Sequence, residues 1–233
     1  MNASLLYNWL DDLLWLVYPE ICAACDKPLR TGEKCICTSC RFHLPKTEFH
    51  NEPENPMARH FWGKVKVEAA ASYLHFTKGE KVQHLVHQLK YRSRQDIGVF
   101  IGELYGYDLK KSDVFSTVDV IVPVPLHPKK FRKRGYNQSA CICEGLSRSM
   151  GVPFDVQSLL RTTATETQTR KHRFERYENV NRVFTLHHPE KFRDRHILLV
   201  DDVVTTGSTL VASAEALLDV PGTRVSIATI AYA

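Results

Sequence analysis

The chain has 233 residues, of which 43% are hydrophobic and 24% are charged, and its formal net charge is +5 at neutral pH. This length and composition allow one substantial hydrophobic core with a small accessory module, and they exclude an intrinsically disordered chain. The moderate positive charge favours anionic ligands but does not by itself require a nucleic acid partner.

A strongly apolar segment, residues 4–17, stands near the beginning of the chain. Two aspartates interrupt it, no basic residue precedes it and it is too short to span a bilayer, so we expect neither a signal peptide nor membrane insertion. Its leucines recur at helical spacing, which predicts an amphipathic helix that packs against the body of the protein. Docking on a membrane surface is the alternative, although the polar face of this helix is acidic. We therefore expect a cytoplasmic protein.

Five of the seven cysteines lie between residues 22 and 40. In a cytoplasmic chain, paired Cys-x-x-Cys knuckles are typical of metal sites rather than of disulfides. Two such knuckles, separated by a loop that contains proline and glycine, predict a structural zinc site of ribbon type with tetrahedral thiolate ligands. Cys35 could replace Cys37 as a ligand, and His43 is a weaker candidate. The four expected ligands are Cys22, Cys25, Cys37 and Cys40.

A stretch rich in Pro, Asn and Glu, residues 47–60, is expected to be a linker. It would separate an N-terminal module of residues 1–46 from a main domain of residues 61–233. In the main domain, strand patterns alternate with helical patterns, which predicts a mostly parallel sheet of about five strands flanked by helices. The expected strands lie near 68–76, 118–125, 183–186, 197–201 and 224–231, and the expected helices near 79–92, 137–149 and 210–218.

A strongly basic segment follows the strand near 118–125. Basic residues fill five of the six positions from Lys129 to Arg134. Such a run is usually a solvated face, but because it comes directly after a parallel strand we expect it at the carboxyl edge of the sheet, where α/β proteins bind ligands. A second basic stretch, residues 161–182, is long for a loop in a compact domain, which favours a functional role. An exposed loop without a catalytic part is the alternative.

The strand near 197–201 ends in two adjacent acids, Asp201 and Asp202, and leads into a hydroxyl-rich turn and a helix. Amides at the start of a helix suit phosphate, and Gly207 allows the backbone to approach a ligand closely. Two carboxylates beside a phosphate make sense if the ligand also carries hydroxyl groups, as ribose 5-phosphate does, or if they help to hold Mg²⁺. The alternative is that one acid caps the helix and the other is solvated. The expected phosphate loop comprises Val204, Thr205, Thr206, Gly207, Ser208 and Thr209.

Together these motifs resemble a known family. The sequence LLVDDVVTTGST, residues 198–209, is similar to the phosphoribosyl-pyrophosphate (PRPP) signature of type I phosphoribosyltransferases. The segments KYRSRQDIG (90–98), PVPLHPKKFRKRGYNQS (123–139) and RTTATETQTRKHRFERYENV (161–180), together with the N-terminal cysteines, resemble in this order the ComF family of competence-associated, phosphoribosyltransferase-like proteins. The resemblance covers most of the chain.

The resemblance implies a role for each motif. Asp201 and Asp202 would bind the ribose of Mg-PRPP, and the phosphate loop would hold the 5′-phosphate. The basic segment would bind pyrophosphate, while the stretch 161–182 would form a hood that folds over bound PRPP and excludes water. The expected anion ligands are Arg132, Arg134, Gly135, Arg173 and Arg176, and the further hood residues are Gln168 and Thr169.

Two functions are compatible with the resemblance. One is a Mg²⁺-dependent phosphoribosyltransferase, of the glycosyltransferase class, in which positioning and electrostatic stabilisation carry the reaction, so that no catalytic residue is named. The other is a non-catalytic single-stranded-DNA-binding competence factor, with a competence helicase and DNA-uptake proteins as partners. Its basic runs would contact phosphates while interleaved aromatic rings stack on bases. Those rings are Phe131, Tyr136, Phe174 and Tyr177.

Overall fold

The computed structural model of this protein describes residues 19–77, 80–162 and 183–233. Four strands form one parallel sheet and two more form a separate antiparallel ribbon. The prediction of a mostly parallel sheet flanked by helices is confirmed. The strands are β1 (Ala70–His75), β2 (Val120–Pro123), β3 (Leu159–Arg161), β4 (Phe184–Leu186), β5 (His196–Val204) and β6 (Arg224–Tyr232).

The parallel sheet has the strand order β1-β6-β5-β2, so that β5 and β6 are its central strands. Residues Ile197 to Val200 of β5 are completely buried, as a continuous aliphatic run on a strand covered on both faces requires. The prediction of a fifth strand of this sheet near 183–186 is wrong. That segment is β4, which pairs with β3, because its three residues include one buried side chain, Phe184, and lack the apolar run of an interior strand.

Seven α-helices lie in the described residues, with short 3₁₀ turns at Phe49–Asn51, Phe115–Thr117 and Pro189–Phe192. None of the described helices combines the length and the apolarity needed to cross a membrane. The helices are α1 (Thr38–Phe42), α2 (Pro56–Phe61), α3 (Lys81–Tyr91), α4 (Gln95–Leu109), α5 (Pro128–Arg134), α6 (Gln138–Met150) and α7 (Ser208–Leu218).

Helix α4, which the sequence patterns did not predict, packs unusually close to α6. A side chain at Gly102 would collide with the Ile142 carbonyl, and one at Gly145 would collide with the Val99 carbonyl. The glycines therefore let the two helix backbones approach each other. Because α6 also packs against β2 and β5, this contact fixes the first turn of α6 near the carboxyl ends of those strands.

Residues 47–60, which we expected to be a linker, pack against the sheet. Asn55 caps α2 by accepting a hydrogen bond from the Ala58 amide at 2.9 Å, and its side-chain amide donates to the Ala70 carbonyl of β1 at 2.9 Å. Met57 and Phe61 are completely buried. The Asn- and Pro-rich composition thus serves to start a helix. A division of the chain into separately folding units at this segment stays a prediction.

Candidate functional site

The carboxyl ends of β2 and β5 lie side by side. Pro123 pairs with Val200, and the Val124 amide donates to the Val200 carbonyl at 2.8 Å. The chain then leaves β2, since a second proline, Pro125, cannot continue a central ladder. Strand β5 runs on to Val204, beyond the expected end near residue 201. Both acids therefore lie within the last four residues of the strand. The topology therefore brings the basic segment and the acidic segment to the same edge of the sheet.

Asp201 is held by the first turn of α6. Its Oδ1 accepts hydrogen bonds from the Ser139 hydroxyl and from the Asp202 amide, both at 2.9 Å. The helix cap Asn137 is fixed in turn, because its side-chain amide donates to the Val124 carbonyl at 3.0 Å. Sequence reasoning missed Ser139, whose only signal is its place at the start of a helix directly after the basic segment.

Asp202 forms an ion pair with Lys90, whose Nζ lies 3.0 Å from Asp202 Oδ2. The side chains are 21% and 13% exposed, so both are partly buried but within reach of a ligand. Lys90 is the penultimate residue of α3. The sequence placed it near the end of a helix and gave it no role, because the contact depends on how α3 packs against the sheet.

The two adjacent acids lower the free energy of unfolding at neutral pH. Burial, together with the neighbouring Asp202 carboxylate, raises the pKa of Asp201 to about 7. The Asp202 amide, the Ser139 hydroxyl and Lys90 oppose that rise. Because the pKa in the unfolded chain is about 3.9, the folded protein retains a proton that the unfolded chain loses. The free energy of unfolding is therefore not reduced by this carboxyl below about pH 4, and it falls progressively as the pH rises to about 7. Raised carboxyl pKa values of this kind concentrate at functional sites.

The turn between β5 and α7 contains most of the expected phosphate loop. Gly207 has a left-handed φ of 70° and precedes Ser208, the first residue of the helix. Thr205, Thr206 and Ser208 are exposed and lie directly before or at the start of α7, the position at which helix amides suit an anion. Val204, in contrast, is buried, so its side chain packs in the core and does not face a ligand.

Helix α2 contacts this turn through the side chain of His60. The Nε2 of His60 lies 2.7 Å from the Thr206 carbonyl, which can only accept, so that this ring nitrogen donates the hydrogen bond. A side chain at Gly207 would come within 2.9 Å of the His60 ring and would have to displace it, in addition to the strain of a positive φ angle. Nothing in the sequence pattern pointed to His60, which lies in the segment expected to be a linker.

The basic segment forms the short helix α5. Pro128 starts it, the His127 ring caps it by accepting from the Lys129 amide at 3.2 Å, and Gly135 ends it with a φ of 79°. This is the usual placement of proline at the start and glycine at the end of a helix. Arg132 is exposed, whereas Arg134 donates to Gln138 Oε1 at 2.6 Å.

Tyr136 cannot serve as a stacking platform for bases, because it is buried and its hydroxyl donates to the Leu89 carbonyl. Phe131 of α5 is 48% exposed and is available. The remaining expected residues of the hood and of the second basic run lie outside the described residues. They are Gln168, Thr169, Arg173, Phe174, Arg176 and Tyr177.

The N-terminal cysteines form a second candidate site. In the described residues, four thiols are the one group of three or more His, Cys, Asp or Glu side chains close enough to share a metal ion, with all their sulfur atoms within 4.8 Å of one another. Zn–S bonds of about 2.3 Å in a tetrahedron place sulfurs about 3.8 Å apart, and the Cys25 and Cys37 sulfurs lie 3.9 Å apart. The group could therefore hold a metal such as zinc. Its members are Cys22, Cys25, Cys37 and Cys40.

Backbone amides favour a thiolate at Cys22. Burial acts against it, but hydrogen bonds, led by those from the Cys37 and Ala24 amides at 3.3 and 3.4 Å, lower the pKa of Cys22 to about 7. Burial raises the pKa of the Cys25 and Cys40 thiols, and for Cys40 the neighbouring thiols raise it further. Several thiolates packed this closely are unfavourable unless a cation lies between them.

The two alternative zinc ligands, Cys35 and His43, are not part of the four-thiol group. Burial and the nearby Asp96 raise the pKa of Cys35 to about 12. The Nδ1 of His43 is within 2.8 Å of the Ser39 carbonyl. The geometry thus gathers Cys37 rather than Cys35 with the other expected ligands.

Comparisons with known proteins identify a matching family model and several relatives of the chain. The family model described as Phosphoribosyl transferase domain matches residues 139–233, a range that begins at Ser139 and contains both acids and the turn before α7. The chain is 32% identical over 206 residues to the DNA utilization protein YhgH of Escherichia coli K12, with 85% of this chain and 84% of that protein covered. It is 36% identical over 104 residues to Competence protein F of Haemophilus influenzae, covering 44% and 45% of the two chains. Against Competence protein ComFC of Bacillus subtilis it is 25% identical over 233 residues, covering 87% and 90%.

Proposed function

Because the chain belongs to the ComF family of phosphoribosyltransferase-like proteins, we propose that it binds PRPP with Mg²⁺ at the carboxyl ends of β2 and β5. One observation carries the proposal. Two adjacent acids, one hydrogen-bonded by Ser139 and the other paired with Lys90, lead within a few residues into an exposed, hydroxyl-rich turn at the start of α7. Such a site offers acceptors for sugar hydroxyls beside donors for a phosphate.

Each part of PRPP has a complementary partner in this proposal. Asp201 and Asp202 accept hydrogen bonds from the ribose hydroxyls. The amides and hydroxyls of the turn bind the 5′-phosphate, as helix N-termini do in other α/β proteins. The pyrophosphate group lies toward Arg132, Arg134 and Gly135, since arginine binds phosphate oxygens through two parallel hydrogen bonds.

The donor set fits Mg²⁺, which prefers oxygen ligands and usually shares them with phosphate groups. Asp201 and Asp202 would hold the ion together with the bound PRPP, and the ion would offset the charge of the pyrophosphate. If the protein transfers the phosphoribosyl group, the contribution of these residues is to orient the ribose and to stabilise the departing pyrophosphate. The acceptor is not part of the proposal.

A second function is favoured by the surface of α5. This short helix exposes four cationic side chains beside the half-exposed ring of Phe131. A basic surface with an aromatic ring suits single-stranded DNA, through phosphate contacts and base stacking. We propose this as the alternative, with a competence helicase and DNA-uptake proteins as partners. The four cationic residues are Lys129, Lys130, Arg132 and Lys133.

Two titrations separate these functions. Calorimetric titration with PRPP should show saturable binding of one molecule per chain that weakens when Mg²⁺ is chelated. A fluorescent single-stranded oligonucleotide should bind with a log affinity that falls by about 0.7 per log unit of salt for each phosphate neutralised. The variant Phe131→Ala should weaken oligonucleotide binding, because it removes the exposed stacking ring, and it should leave PRPP binding unchanged. Absence of saturable PRPP binding would refute the first proposal, and a salt-independent oligonucleotide affinity would refute the second.

A further inference from the structure

The end of helix α3 forms a wall of the candidate PRPP site. Three consecutive residues contact it in three different ways. The carbonyl of Leu89 accepts a hydrogen bond from the Tyr136 hydroxyl, Lys90 pairs with Asp202, and the ring of Tyr91 lies 5.4 Å from the Arg134 guanidinium. One turn of helix thus connects the basic segment to the acidic end of β5.

The position of Lys90 is also fixed from the opposite side. Gln88 is buried, and its side-chain amide donates to the Ala23 carbonyl at 3.0 Å, within the first cysteine knuckle. Leu89 is completely buried. Because α3 is held on both sides at this point, the ammonium group of Lys90 is directed at Asp202 rather than into solvent.

The Lys90–Asp202 ion pair is of a kind that a bound anion can replace. Two adjacent carboxylates attract the hydroxyl groups of a ribose but repel an anionic substituent attached to the same sugar. A lysine that neutralises one carboxylate in the free protein removes part of that repulsion. Its long flexible stem and its positive charge also let the ammonium group move to a nearby phosphate oxygen.

We propose that Lys90 is a ligand-binding residue that exchanges its ion pair with Asp202 for the diphosphate group of the bound sugar. Asp202 is then available to accept from the ribose hydroxyls. The ligand class is a ribose 5-phosphate that carries a diphosphate at C1, so the inference rests on the proposed function and adds the residue that selects the diphosphate. A merely structural lysine would tie α3 to β5 and would affect every ligand of the site equally.

Titrations with two sugar phosphates distinguish these roles. The Lys90→Met variant, Lys90→Arg and the wild type are titrated with PRPP and with ribose 5-phosphate, which lacks the diphosphate, in the presence of Mg²⁺. Lys46→Met is the matched control, because Lys46 forms a similar ion pair with Asp108, at 2.8 Å, outside this site. Urea denaturation of each variant reports its stability independently of ligand binding.

We expect Lys90→Met to lower the affinity for PRPP by about 10- to 100-fold, as the loss of a charged hydrogen bond does, and to leave the affinity for ribose 5-phosphate within about twofold. Lys90→Arg should retain most of the PRPP affinity, and Lys46→Met should change neither ligand. Equal losses for the two ligands, or no loss for either, would overturn the role of Lys90 alone. Failure of the wild type to bind either sugar phosphate would overturn the proposed function, and this inference with it.

Discussion

Asp201→Asn should weaken PRPP binding and at the same time stabilise the free protein. The substitution removes a charged acceptor for a ribose hydroxyl, which should lower the PRPP affinity by about 10- to 100-fold. It also removes a carboxyl whose pKa burial and Asp202 raise to about 7, while the amide oxygen can still accept from Ser139. Each unit of that pKa rise corresponds to roughly 1.4 kcal/mol of stability lost by the wild type above pH 7, so a gain of a few kcal/mol is the upper limit.

The stability gain should depend on pH in a defined direction. Urea denaturation at pH 8 should show the variant to be more stable than the wild type, and the difference should shrink as the pH falls and vanish below about pH 4, where the carboxyl becomes protonated in both the folded and the unfolded chain. Asp108→Asn, at an acid paired with Lys46 outside the site, is the control and should leave PRPP binding unchanged. An unchanged PRPP affinity in Asp201→Asn would remove Asp201 from the site.

We expect the four-thiol group to bind zinc, and Cys22→Ser should abolish this binding and destabilise the protein strongly. The other three thiols would then lack the ligand whose thiolate the Cys37 and Ala24 amides stabilise. A metal at 1,000 times its Kd stabilises the folded state by about 4 kcal/mol, and the variant should lose an amount of this order. The measurements are zinc content by atomic emission and the free energy of unfolding.

Cys35→Ser is the matched control for the metal site, because Cys35 lies in the same module but outside the four-thiol group. It should keep a full equivalent of zinc. Stoichiometric zinc in Cys22→Ser, or zinc loss in Cys35→Ser, would contradict the assignment of the four ligands.

The parts of the site that lie close together in sequence could be predicted, and the parts that depend on packing could not. Asp201, Asp202 and the turn to Thr209 form one continuous strand–turn–helix pattern, and the paired cysteine knuckles are equally local. Ser139 and Lys90 reach the acids from helices more than fifty residues away in sequence, so no local spacing reveals them.

The errors in the fold have similar causes. The segment near 183–186 has strand character, but its partner is chosen by tertiary contacts, and it joins β3 rather than the main sheet. Helix α4 was missed because its glycines weaken the helical pattern, although Gly102 and its neighbours are what let it pack against α6. In residues 47–60 the linker-like composition includes Asn55 and Pro56, which cap and start α2, and the role of this segment as a boundary between separately folding units stays a prediction.

Hydrogen exchange with and without PRPP and Mg²⁺ tests the location of the site most directly. We expect amide exchange to slow on ligand addition in residues 204–211, at the turn and the start of α7, and in residues 137–139, at the start of α6. Slower exchange confined to the cleft of about 670 Å³ between the cysteine module and α3, lined in part by His43, His84 and His87, would contradict a PRPP site at the carboxyl ends of β2 and β5.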